Sequence, residues 1–112
     1  MKLLVVVLNK EEFLEDVLDA FIEADITKAT VLDSEGMVGF LAYEVPLFAD
    51  LKDFMKGDKP YNKTIFSVVD DEKKIKKVEK LIEDICGDLS EPGIGILFTV
   101  PVDYAKGFTK KL

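Results

Sequence analysis

One pattern governs what this chain can become: an apolar, β-branched run followed at once by an amphipathic helical stretch occurs twice, 61 positions apart. The first run, Lys2 to Leu8, is continuous and too short for a core helix, which predicts a strand buried on both faces and central in its sheet. Asn9 stands where a helix N-cap belongs, and Glu12, three residues on, supplies the reciprocal half of a capping box. Phe13, Leu14, Val17, Leu18, Phe21 and Ile22 then recur at spacings of three and four, with acidic residues on the other face. This predicts a helix to about Ala24, a turn over Asp25-Ile26-Thr27, and a second strand from Lys28 to Asp33.

The second half repeats the grammar. Thr64 to Val69 reads as a strand, Asp70 or Asp71 as a cap, and Ile75, Val78, Leu81, Ile82 and Ile85 as the apolar stripe of a helix that Gly87 stops. Gly95 to Val102 is a last strand. The shift lays Leu14 on Ile75, Val17 on Val78 and Phe21 on Ile82. Two such βαβ halves predict an α+β, ferredoxin-like βαββαβ sandwich in one domain spanning residues 1–112. Right-handed crossovers put both helices on one face of a four-stranded antiparallel sheet. The other face is then a bare apolar surface that self-association would bury, with Phe66, Val68, Leu97 and Thr99 or their alternates on it.

The repeat leaves residues 34–60 unexplained. Gly36 and Gly39 suit a mobile connection; Pro46 suits a helix start and Gly57 its end, with Leu47, Phe48, Leu51, Phe54 and Met55 at helical spacing between them. A short inserted helix follows. Its stripe either packs on its own protein or docks a partner, and Leu47, Phe48, Leu51 and Phe54 are the docking candidates.

Composition removes whole classes of function. The chain has 15 basic residues, every one lysine, against 22 acidic ones, and no His, Arg, Gln or Trp. Without His there is no Ser-His-Asp or Cys-His nucleophile system and no imidazole metal ligand. Without Arg there is no bidentate clamp for phosphate or carboxylate. The formal charge of −7 argues against RNA or DNA as partner. Nothing here announces catalysis, and the expectation is a non-enzymatic protein. Cys86 is alone and sits in the second helix's stripe as a small hydrophobe, which fits a reducing cytoplasm. The N-terminal apolar run is far shorter than the ~20 residues of a spanning helix, so no membrane insertion is expected.

The remaining motifs are individually bland. Gly93 and Gly95 could free backbone N–H groups to face a ligand, or could simply turn the chain. Asp70, Asp71 and Glu72 suit helix capping better than a cation. The lysines of the second helix alternate with Glu79, Glu83 and Asp84, as on a solvated face. Tyr43, Tyr61 and Tyr104 read as packing residues.

Taken with the order of elements, the wording of both ends resembles the nitrogen regulatory PII proteins. Met1 to Leu8, then Ala24-Asp-Ile-Thr-Lys-Ala-Thr-Val31, is similar to that family's first strand, helix, Ala-Gly-Ile turn and Thr-Val strand. Lys63-Thr-Ile-Phe-Ser-Val-Val-Asp-Asp71 resembles its strand ending in Val-x-Asp. The most specific part is Gly93-Ile-Gly-Ile-Leu-Phe-Thr-Val-Pro-Val102, which resembles Gly-Asp-Gly-Lys-Ile-Phe-Val-Leu-Pro-Val.

That resemblance implies a cytoplasmic homotrimeric regulator with bare sheet faces turned inward, ligand clefts between subunits that take adenine nucleotides, and a target protein met by the loop between strands two and three. By position it assigns Thr30, Gly36, Gly39, Lys63, Gly93 and Gly95 to the ligand site. The departures matter as much. The family's Lys after the second glycine is Ile96, its Thr-Gly-Arg is Leu89-Ser-Glu, and its Arg-x-Arg is replaced by the segment from Tyr104 to Lys111. Three cationic groups for a triphosphate are absent, each charge-assisted bond being worth roughly 1.5–3 kcal/mol. Gln, which serves magnesium and 2-oxoglutarate in the family, is absent too. The expectation is a PII-like scaffold with a changed, less charged ligand. An ACT-like amino-acid-sensing module and a structural interaction protein without small ligand are the alternatives.

Overall fold

The computed structural model describes residues 1–55 and 60–108. Four strands, β1 (Lys2–Leu8), β2 (Thr30–Glu35), β3 (Tyr61–Val69) and β4 (Gly95–Pro101), form one sheet in the order β2-β3-β1-β4, every neighbouring pair antiparallel. β1 is central, as expected from the sequence, and β3 beside it is also paired on both sides. β1 and β2 therefore run parallel with β3 between them, and β3 and β4 parallel with β1 between them. Each such gap is spanned by a helix, α1 (Leu14–Glu23) or the longer helix Glu72–Cys86, so the two halves interlock. Between β2 and β3 the chain adds α2 (Met37–Glu44), a 3-10 stretch Pro46–Leu51 and the single turn α3 (Lys52–Met55), which makes Glu72–Cys86 α4.

Alternation divides the sheet. Leu4, Val6 and Leu8 of β1, with Ile65, Ser67 and Val69 of β3, point to the helices. They meet Val17, Ala20 and Phe21 of α1 and Ile75, Val78 and Ile82 of α4 in one apolar core. Val17 and Val78, equivalent by the internal repeat, are both wholly buried. Each such aliphatic or aromatic side chain contributes on the order of 1.5–3 kcal/mol by leaving water. Ser67 is accommodated because its hydroxyl donates to the Lys28 carbonyl at 2.6 Å.

Leu3, Val5 and Val7, Leu32, Phe66 and Val68, and Ile96, Phe98 and Val100 share the opposite face, away from α1 and α4. Phe66 and Val68 lie there as expected. In β4 the alternates hold it: Leu97 and Thr99 face the helices, and Leu97 packs against the core.

Several local expectations are corrected. Asn9 does not cap α1: the helix opens with a 3-10 turn, Glu11–Phe13, that has no side-chain cap. Asn9 is instead tied to the sheet, its N–H donating to the Ile94 carbonyl at 3.0 Å. At the other end Asp25 takes a left-handed φ of 61°, and Ile26 N–H reaches back to the Phe21 carbonyl at 2.8 Å. That is a Schellman-type stop with Asp in the place usually held by Gly. Asp71, one of the two expected residues, caps α4, its carboxylate accepting from Lys73 N–H at 2.9 Å. Gly87 ends α4 as read.

The connection expected to be mobile at Gly36 and Gly39 is the helix α2. It is apolar nearly all round and so shows no 3.6-residue period. Pro46 begins a 3-10 stretch rather than an α-helix, and only its last turn is α-helical. Gly57, read as its stop, lies outside the described residues.

Candidate functional site

A cavity of about 610 Å³ opens where β1 ends and β3 begins. Its polar wall is the stretch Asn9, Lys10, Glu11 and Glu12, just past β1, together with the carboxamide of Asn62. Its apolar wall is Met55, Pro60 and Tyr61, where the inserted segment returns to the sheet. Gly36, Gly39 and Gly93 complete it. Pockets of this size hold drug-sized ligands.

The glycines have separate reasons to be there. Gly36 is the N-cap of α2 and its N–H donates to the Pro60 carbonyl at 3.0 Å, which ties the segment's departure to its return. A Cβ on Gly39 would stand 2.6 Å from Pro60 Cα, so only Gly lets α2 approach that point. Gly93 has φ 86° with open space where a side chain would project.

Asn62 is the buried polar group of the site, 9% exposed. Its carbonyl oxygen accepts from the Ser34 hydroxyl, and its NH2 reaches the Asn9 carboxamide oxygen at 3.4 Å. Ser34 is also 2.8 Å from the Thr64 hydroxyl. Asn9, Ser34, Asn62 and Thr64 thus run as a polar chain from the sheet's bare face to the cavity.

Of the residues assigned from the sequence, Gly36, Gly39 and Gly93 converge on this cavity; Thr30, Lys63 and Gly95 do not line it. Thr30 pairs with Phe66, far along β2 from the cavity end. The Lys63 ammonium is ion-paired with Asp33 on the neighbouring strand, and its pKa is raised chiefly by that hydrogen bond, against desolvation and with smaller contributions from the Asp33 and Glu11 charges. Gly95 is explained by backbone proximity, since a Cβ there would stand 2.2 Å from the Val7 carbonyl oxygen. Asn9 and Glu12 entered the sequence reading only as helix-capping residues, and Asn62 not at all. The available signal was the trio Ser34, Asn62 and Thr64, polar residues on adjacent strands where apolar ones would be ordinary.

The docking candidates are displayed outward. Leu47 is 84% and Phe54 77% exposed, with Phe48 less so and Leu51 half-buried. Met37, 74% exposed, and Phe40 extend the apolar surface onto α2. Lys52 places its ammonium 5.0 Å from the centre of the Tyr43 ring, a cation–π contact within the insert. Among the described residues no helix is long and apolar enough to cross a membrane. Compared with models of known protein families and with curated proteins, the chain matches none.

Proposed function

We propose that this chain is a non-enzymatic, PII-like regulatory protein of the cytoplasm: a homotrimer that binds a small molecule at the Asn9–Asn62 cavity and acts on a partner protein through residues 37–55. Read from the β4 edge, the sheet order is 4-1-3-2, the arrangement of a split βαβ, which supports the ferredoxin-like reading. The bare face, with Ile96, Phe98, Val100 and Leu32 exposed, supports self-association, because contiguous apolar area on a soluble protein marks an interface.

The observation that carries the regulatory reading is that cavity and insert share residues. Gly36, Gly39, Met55 and Pro60 are both the roots of the segment and walls of the cavity. A ligand seated there contacts the base of the apolar insert, so it shifts the insert's conformation by whatever its affinity differs between two arrangements. An adenine triphosphate suits the cavity poorly, since Lys10 is the one cation among its described lining residues, beside Glu11 and Glu12.

Native mass measurement combined with calorimetry over a panel of metabolites tests the proposal. The expected result is a species of three times the 12.6 kDa chain mass that binds at least one panel member. A monomer that binds none overturns it.

A further inference from the structure

We infer that the cavity takes a cationic ligand, an aliphatic chain bearing an ammonium or guanidinium group such as a basic amino acid or a polyamine, with the cation on Glu11 and Glu12 and the stem along Met55. This rests on the reading above that the cavity is the ligand site.

Charge selects the class. Among the described lining residues Glu11 and Glu12 stand against Lys10, and the chain carries −7 overall, so an arriving anion meets repulsion both near and far, while a cation is drawn in. Glu11 is half-buried, and its field is felt as far as Lys63, whose ammonium it helps to hold charged. The apolar wall then selects shape. Met55, Pro60 and Tyr61 offer hydrocarbon to a methylene stem. Asn62 adds a directional group: its side-chain carbonyl oxygen is engaged by Ser34, while its NH2, at 3.4 Å from the Asn9 carboxamide oxygen, has a second N–H to donate to a ligand oxygen. A ligand with a cation at one end, a flexible stem and a hydrogen-bond acceptor uses every wall of this site.

Calorimetry on the full chain, with L-arginine, spermidine and ATP as probes, tests the inference. Arginine and spermidine separate an amino acid from a polyamine as the source of the same chemistry. The expected result is saturable binding of one of the amines at one per chain and none of ATP. A Glu11→Gln/Glu12→Gln variant, isosteric and at the surface, should bind that amine about tenfold more weakly, the loss expected for a charge-assisted contact. A Glu79→Gln/Glu83→Gln variant removes the same charge from α4 and should bind it as the unaltered chain does. Far-UV circular dichroism checks that both variants fold. Equal weakening in the two variants means that bulk charge alone attracts the amine and overturns the inference. Binding of ATP in place of the amines overturns it while leaving the cavity reading standing. If no probe binds, the inference falls; a trimeric mass then preserves the assembly reading, and a monomeric mass removes both.

Discussion

Gly93 and Gly95 read alike in the sequence but stand in opposite circumstances. Gly95 presses its Cα against the β1 backbone at Val7 with φ 155°, a conformation and a proximity that only Gly tolerates. Gly95→Ala should therefore cost at least about 2 kcal/mol in a urea unfolding series, the scale of a forced backbone with a clash added. Gly93→Ala meets no atom within 4 Å and should cost about 1 kcal/mol, from its positive φ alone. If the two variants unfold at the same urea concentration, the distinction is wrong. Cys86 makes a second case. Burial first, and the Asp16 carboxylate second, push its thiol pKa upward. The folded chain keeps that proton to higher pH than the unfolded chain does. The resulting contribution to stability is complete below the ordinary thiol value of about 8.5 and is lost as pH rises through the folded one. Iodoacetamide labelling followed by mass spectrometry should accordingly show a reactivity midpoint above about pH 8.5, and a midpoint below it contradicts the burial argument.

At the scale of elements, what was legible had a period. The helices α1 and α4 announce themselves because one face is buried and the other wet, and the repeat pairing Val17 with Val78 predicts their shared burial. β1 is legible instead from a continuous apolar run, which predicts burial on both faces, whereas only its Leu4, Val6 and Leu8 face is fully buried. β2 was displaced by two residues, Thr30–Glu35 against the Lys28 start expected, since Ala24 to Ala29 spends itself on the Asp25 stop and the turn after it. α2 was illegible for the opposite reason: a helix apolar nearly all round has no stripe to detect. The cavity was half legible. Its glycines stand out as residues, but Asn62 and Asn9 acquire meaning only when β3 and β1 are brought side by side. The insert is also separable in energetic terms. α2, the 3-10 stretch and α3 pack chiefly on one another, and of their residues only Gly39 and Ala42 are buried. Replacing residues 37–55 by a short Gly-Ser linker should leave a cooperative unfolding transition with stability changed by no more than about 1 kcal/mol, because loop closure depends weakly on length. Denaturant titration followed by circular dichroism checks this. Loss of cooperativity means that the insert belongs to the core.

The whole molecule presents two sides of one sheet with unlike fates. Leu4, Val6 and Ile65 vanish under α1 and α4, while Ile96, 55% exposed, and its neighbours Phe98 and Val100 stay uncovered across a row that continues through Val5 and Phe66. A chain with −7 net charge resists random aggregation through self-repulsion, while a contiguous apolar face marks a surface for specific contact. If copies of the chain cover it for one another, a charge placed at its centre must break the assembly without disturbing the fold, because the core lies on the other side. Phe98→Lys should convert the assembled protein to a 12.6 kDa monomer by sedimentation, with far-UV circular dichroism unchanged. The same charge at Leu97, whose side chain packs on the helix-side core, should instead unfold the chain. If Phe98→Lys leaves the mass of the assembly as it was, the copies meet through some other surface, and the exposed side chains of Met37, Leu47 and Phe54 become the next place to put a charge.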